Sequence, residues 1–281
     1  MEVFHTIAQM QHFSLNCRAQ GKSLGFVPTM GALHQGHLEL VRRALSENDV
    51  VVCSIFVNPI QFNNPEDLKK YPRTFETDAS MLQQLGCHAI FYPSVQDMYP
   101  EPEHRVFDFG QLDKVMEGEF RPGHFNGVAI VVKKLFEIVL PHRAYFGEKD
   151  FQQLTIIRAL VKMEAMDLEI VPCSIVREED GLAMSSRNVR LSAEERRQAP
   201  LIYKTLLTAR ELYRHAEPAE VIRRVEAMIN SCPSMQLEYF NIAHMDSLQS
   251  IGTTKPAEPV VACIAVYMGE VRLIDNMIFN L

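Results

Sequence analysis

Over residues 1–175, short apolar runs alternate with stretches of helical period. Leu24-Gly25-Phe26-Val27 reads as a strand, and the segment after it sets Leu38, Val41 and Leu45 on one face of a helix. Residues 50–57 are almost unbroken in apolar character, as a parallel strand covered on both faces requires. Met81, Leu82 and Leu85 mark a second helix, which meets Gly86, a suitable C-terminal stop. Ala89-Ile90-Phe91-Tyr92 then reads as a strand. Val128, Val131, Val132, Leu135 and Val139 mark a helix that halts before Pro141. Ala144-Tyr145-Phe146 is a short strand, and Phe151, Leu154, Ile157 and Val161 define the next helix. Residues 168–176 read as a strand in which Pro172 requires an edge or a bulge, because proline cannot donate to a ladder.

This alternation predicts an α/β fold: a Rossmann-like parallel sheet with helices on both faces, occupying residues 1–175. Ligands of such sheets bind beyond the carboxyl ends of the strands, and the polar clusters of this chain fall where predicted strands end. The remainder, 176–281, has a different pattern. Ser192-Ala193-Glu194-Glu195 is a capping box that predicts the start of a long helix. A second helix is expected over about 218–229, and strands around 237–242, 260–267 and 271–275. Helices followed by strands predict a smaller α+β domain, expected to close over the site.

Composition narrows the class. The chain has 281 residues, 47% hydrophobic and 22% charged, so a core of normal size is available. A net charge of −7 argues against a nucleic-acid partner, which needs clustered Lys and Arg to neutralise phosphates. The six cysteines include no C-x-x-C pair, and several, such as Cys53, lie in apolar runs, which favours buried thiols in a reducing compartment. No apolar run approaches the ~20 residues that span a bilayer, and the N-terminus lacks the pattern of a secretion signal. The expectation is a cytoplasmic protein with no membrane partner.

Four clusters carry the chemistry. Pro28-Thr29-Met30-Gly31-Ala32-Leu33-His34-Gln35-Gly36-His37-Leu38 follows a strand and runs into a helix. Its glycines let backbone approach a ligand, and the helix N-terminus favours a phosphate. His34 and His37 share one side of the first turn and could stabilise charge developing at phosphorus. A helix start that merely contains two histidines, or a partial metal site, fits the bare spacing too. Val176-Arg177-Glu178-Glu179-Asp180-Gly181-Leu182-Ala183-Met184-Ser185-Ser186-Arg187-Asn188 offers hydroxyls and a guanidinium as a polyphosphate clamp, or is a solvated loop. In Phe146-Gly147-Glu148-Lys149-Asp150-Phe151-Gln152-Gln153, Lys149 could meet phosphate as a point charge. There Asp150 could take a ribose hydroxyl or cap a helix. Phe56-Val57-Asn58-Pro59-Ile60-Gln61-Phe62 ends another strand, and Gln61 with Gln153 suits a small hydroxylated acid.

Taken in order, these clusters resemble the pantoate–β-alanine ligase family (pantothenate synthetases), of the nucleotidyltransferase superfamily that includes class I aminoacyl-tRNA synthetases. The likeness extends to Tyr71-Pro72-Arg73-Thr74, to the stretch from Glu117-Gly118-Glu119-Phe120-Arg121-Pro122-Gly123-His124-Phe125-Asn126-Gly127-Val128, and to Arg272-Leu273-Ile274-Asp275-Asn276. The His34/His37 segment resembles the superfamily's H-I-G-H motif, and Met184-Ser185-Ser186-Arg187 its K-M-S-K-S loop. The resemblance implies condensation of pantoate with β-alanine through a pantoyl adenylate, with ATP cleaved to AMP and pyrophosphate in the presence of Mg²⁺. It implies that Met30, Gly31, Ala32, Leu33, His34, Gln35, Gly36, His37, Gly147, Glu148, Lys149, Asp150, Val176, Met184, Ser185, Ser186 and Arg187 surround ATP. By the same resemblance Gln61 and Gln153 bind pantoate and β-alanine, and His37 is the proton donor. His34, Lys149, Ser185, Ser186 and Arg187 join it in offsetting phosphate charge. A homodimer is expected. Mg²⁺ keeps much of its water, so few protein ligands are expected, with Asp78 a candidate through water. Asn58, Glu117, Arg121 and His124 fall near these clusters without an assigned role.

Two rivals remain at this level. A nucleotidyl transferase that moves AMP onto a phosphate would explain the histidine segment but not the paired glutamines. A non-catalytic nucleotide-binding module would keep its ATP without either histidine. A tRNA-charging role lacks the basic appended domain it would need.

Overall fold

The structure, a computed structural model, describes residues 1–280. It divides into two compact units: residues 1–109, 121–148 and 153–174 form the first, and residues 110–120, 149–152 and 175–280 the second. Two short segments that precede residue 175, 110–120 and 149–152, therefore fold with the second unit.

The first unit is built on six strands: β1 (Glu2–Phe4), β2 (Leu24–Thr29), β3 (Val50–Ile55), β4 (Ala89–Phe91), β5 (Arg143–Gly147) and β6 (Glu169–Cys173). Their order is β1-β4-β3-β2-β5-β6, and every pairing is parallel. All six residues of β3 are buried, as its apolar run predicts. Adjacent residues of β2 serve opposite faces. Phe26 meets the Phe136 ring of helix His124–Val139, while Val27 packs in a cluster with Val41 and Ala44 of helix Gln35–Glu47. The expected sheet covered by helices on both faces is what forms. Pro172 sits in β6, an edge strand, so its missing N–H breaks no ladder.

Strand β1 and the first helix are among the elements that carry no sequence signal strong enough to read. Strand β1 is three residues long and mostly exposed, and helix Ile7–Ala19 buries only Met10, Ser14 and Cys17. So little burial leaves almost no apolar stripe to detect.

In the second unit, helices Leu201–Tyr213 and Pro218–Asn230 cover an antiparallel sheet ordered β7 (Met235–His244), β8 (Val260–Met268), β9 (Val271–Phe279). Ile202, Leu206, Val221, Val225, Ile264 and Val266 form its core. The single long helix expected after Ser192 is two. Ser192 does cap Ala193–Gln198 with Glu195 completing the box, but Pro200 follows and Leu201–Tyr213 begins anew. Among the described residues no helix is long and apolar enough to cross a membrane.

Candidate functional site

Strand order decides where a ligand can sit. From β2 the chain moves one way to β3 and β4, and returns later to place β5 and β6 on the other side of β2. That reversal is a topological switch point. Strands β2 and β5 pair only at Gly25↔Arg143 and Phe26↔Ala144, so their carboxyl ends are not laddered together. The segments that leave those ends are the histidine turn after Thr29 and the Gly147-Glu148 corner.

The histidine turn is held by Thr29 and by Asp78. The Thr29 hydroxyl donates to Ser54 O at 2.7 Å and accepts from the Gly31 N–H at 3.1 Å. Gly31 and Ala32 are both left-handed, at φ +80° and +50°, a conformation that Ala adopts only under constraint. The constraint comes from Asp78, which is 1% exposed. Its Oδ2 accepts from the Ala32 N–H and its Oδ1 from the Leu33 N–H, each at 2.9 Å, and the Thr74 hydroxyl donates to both oxygens. A Cβ on residue 31 would stand 3.0 Å from Asp78 Oδ2, a second reason for glycine there. Asp78, expected near Mg²⁺, thus has a structural task that engages both of its oxygens. The turn borders a cavity of about 380 Å³ lined by Met30, Gly31, Ile55, Phe56, Thr74, Phe75, Asp78 and Tyr92, among others.

The two histidines cap the helix they introduce. His34 is the N-cap of Gln35–Glu47, and its Nδ1 accepts from the Gly36 N–H at 3.1 Å. His37 Nδ1 in turn accepts from the His34 N–H at 3.3 Å, and the rings lie 4.1 Å apart. Because each Nδ1 accepts a backbone N–H, each neutral imidazole carries its proton on Nε2. Two donors of fixed tautomer therefore stand at a helix N-terminus, where backbone N–H groups already favour an anion.

The Gln61 side chain is buried rather than at the surface. Its Oε1 accepts from Asn58 Nδ2 at 3.0 Å, and its Nε2 points to Met30 Sδ at 3.3 Å. Asn58 is itself locked, donating to Gly127 O at 3.1 Å and accepting from the Tyr99 hydroxyl at 2.8 Å. His124 Nδ1 lies 2.8 Å from Gln61 O. Burial pushes the Tyr99 phenol upward, which keeps it a donor to Asn58 at neutral pH. Gly127 permits this packing, since a Cβ there would come within 2.5 Å of Ile60 O. Asn58 and His124 therefore hold Gln61, a task that their position in the sequence does not disclose. Gln153, also in the first unit, lies in the first turn of helix Phe151–Met163.

In the second unit, Lys149 and Asp150 sit on the short turn Glu148–Asp150 after β5. Next to them Gln152 is 4% exposed; its Nε2 donates to Leu112 O and Val115 O at 2.7 and 2.8 Å, and its Oε1 accepts from the Glu117 N–H. Glu117 takes the Tyr239 hydroxyl at 2.8 Å and a two-pronged contact from Arg272 at 2.8 and 2.7 Å. Burial works to lower the Arg272 pKa, but its bonds to Glu117 and Glu238 outweigh that and raise it further.

Residues 176–188 form a tight hairpin. Arg177 bridges Ala183, the Glu178 N–H donates to Leu182 O at 2.8 Å, and the Met184 N–H to Val176 O at 3.0 Å. Ser185, Ser186 and Arg187 follow at its end, where the Ser185 hydroxyl accepts from the Arg187 N–H at 3.2 Å. The base of the hairpin is anchored by a forked Arg177–Asp275 pair at 2.6 and 3.0 Å, with Asp275 4% exposed. Removing one partner of such a pair costs about 3–5 kcal/mol. A carboxylate in the inward register of β9, in line with Val271 and Leu273, is the sequence signal that could have exposed this anchor.

The model of the family described as pantoate-beta-alanine ligase matches residues 2–278. The chain belongs to that family. Relatives agree over nearly all of its length. A pantothenate synthetase of Porphyromonas gingivalis is 54% identical over 277 residues, covering 99% of each chain. One of Bacteroides fragilis is likewise 54% identical over 277 residues, covering 99% of this chain and 98% of the other. A crystal structure of the pantothenate synthetase of Thermus thermophilus superposes with a TM-score of 0.91 at 43% identity and 99% coverage of both chains. A pantoate-beta-alanine ligase from Francisella tularensis, solved with beta-gamma ATP and β-alanine, gives a TM-score of 0.80 at 36% identity, covering 99% of this chain and 97% of that one.

Proposed function

We propose that this chain condenses pantoate with β-alanine to pantothenate, cleaving ATP to AMP and pyrophosphate through a pantoyl adenylate. The observation that carries the reading is the His34/His37 pair at the sheet's switch point, each with Nδ1 on a backbone N–H and its proton on Nε2.

A free carboxylate is a poor acyl donor because oxide would have to leave. In the first step a pantoate carboxylate oxygen attacks the α-phosphorus; the new O–P bond forms as the bond from that phosphorus to the bridging oxygen breaks and pyrophosphate departs. His34 and His37, with His37 as proton donor, offset the charge that builds at phosphorus. Met30, Gly31, Ala32, Leu33, Gln35 and Gly36 serve the nucleotide in this reading, as do Gly147, Glu148, Lys149, Asp150, Val176, Met184, Ser185, Ser186 and Arg187. Gln61 and Gln153 hold the acid. In the second step the β-alanine amine attacks the acyl carbon, AMP leaves, and the amine gives up its proton. Alignment supplies most of the help there.

Mg²⁺ enters with ATP as part of the substrate. Among the described residues no group of three His, Cys, Asp or Glu could hold an ion, and a cation that keeps most of its water needs only phosphate oxygens. The reading includes a cytoplasmic homodimer, for which the hydrodynamic mass in solution is the check.

The deciding assay has two arms. Pantothenate and AMP should form from ATP, pantoate and β-alanine, and labelled pyrophosphate should exchange into ATP with pantoate alone. Amide formation without exchange would remove the adenylate. Transfer of AMP to a phosphate with neither would leave the nucleotidyl transferase.

A further inference from the structure

Asp275 and Asn276 are neighbours on β9, both 4% exposed, and they hold two separate parts of the second unit. Asp275 receives the Arg177 fork at the base of the 176–188 hairpin and also the Asn276 N–H at 2.8 Å. Arg177 is further fixed by donating to Gly181 O at 3.1 Å and by lying 4.0 Å from the centre of the Tyr203 ring. The Asn276 side-chain amide donates to Lys149 O at 2.8 Å, and the Asn276 backbone carbonyl accepts from Arg177 Nη2 at 3.4 Å. Residues 127 and 99 positions apart in the chain therefore meet on one dipeptide.

We infer that Asp275-Asn276 is a positioning pair that locks Lys149 and the Met184–Arg187 hairpin into one body, so that the second unit presents its phosphate-binding groups in fixed mutual geometry. The physical case is one of pre-organisation. Lys149 is a point charge on a flexible stem and the hairpin is a loop, so both gain precision only if their backbones are held. Asn276 holds the backbone of Lys149 directly, and Asp275 holds the hairpin through Arg177. The inference rests on the ligase reading where it speaks of phosphate, but the locking itself is independent of any reaction.

The test separates the two. In the full-length enzyme without ligands, Asp275→Asn should speed amide hydrogen exchange over residues 178–188 at least tenfold and leave the amides of β2 and β3 unchanged. Arg177→Lys, which keeps the charge but loses the fork, should do the same should Asp275→Asn fail to fold. In pantoate-dependent exchange, Asn276→Ala should raise the KM for ATP about tenfold and change that for pantoate less than twofold. Its effect should vanish in a Lys149→Ala background, because a residue acting through Lys149 has nothing left to position. Unchanged hairpin exchange in both fork variants, or additive losses in the Asn276→Ala/Lys149→Ala double variant, would overturn the inference. Absence of pantoate-dependent exchange in the unaltered enzyme would overturn the ligase reading and leave the hydrogen-exchange result standing.

Discussion

Asp78→Asn tests whether a carboxylate distant in sequence builds the histidine turn. In the native turn the Ala32 and Leu33 N–H groups each have their own oxygen at 2.9 Å. Asparagine keeps one acceptor and turns the other into a donor that faces an N–H. One buried N–H then goes unpaired, at about 1–3 kcal/mol, and the surviving bond weakens from charged to neutral by about 1 kcal/mol. The expected loss is therefore about 2–4 kcal/mol, read as the shift in urea unfolding with an unchanged m-value. Because Gly31 and Ala32 are left-handed, a relaxed turn also moves His34 and His37. Pantoate-dependent pyrophosphate exchange should fall by roughly tenfold or more, since small misplacements of catalytic groups are costly. The variant should stay slow at any Mg²⁺ concentration. Wild-type stability together with a rate within about twofold of wild type would refute the reasoning, and recovery of the rate at high Mg²⁺ would show that Asp78 acts on the metal instead.

The other predictions use the same measurements. His37→Ala should cost roughly a hundredfold or more in exchange rate, as for loss of a preorganised charge stabiliser. His34→Asn should keep the helix cap, and so unfold within about 0.5 kcal/mol of wild type, yet lose rate as His34→Ala does; recovery of both would mean that His34 is only a cap. Gly127→Ala drives a Cβ against the Ile60 and Gln61 backbone, so a loss of about 1–3 kcal/mol is expected, with a raised KM for pantoate as Gln61 shifts. The Asp180 carboxyl is held below its ordinary range chiefly by the Arg196 hydrogen bond. Its contribution is therefore present at neutral pH and lost as pH falls through its folded value. Asp180→Asn should destabilise by roughly 0.2–1 kcal/mol near neutrality, as an exposed pair does, and the gap to wild type should close at acid pH in a denaturant series.

What the sequence determined by itself was whatever repeats locally. The apolar run at 50–57, the period of the helix bearing Leu38 and Val41, and the glycine turn before His34 each describe a segment by its own solvent exposure, so each was legible without the rest of the chain. Pro172 pointed to an edge or a bulge, because its missing N–H cannot join a ladder, and strand order made it an edge. Residue type in the four clusters likewise raised the expectation of a site for a nucleotide and a small acid. Only the tertiary structure decided how they are held. Strand order made β2 the switch point, Asp78 came from 45 and 46 residues away to bend the histidine turn, and Asn58 reached Gly127 O, 69 residues distant, to fix Gln61. Arg177 found Asp275 at a separation of 98 residues. Such contacts are one or two hydrogen bonds between distant segments. They depend on register and strand order rather than on any period, and a lone polar residue reads the same in a sequence whether it faces water or closes a turn.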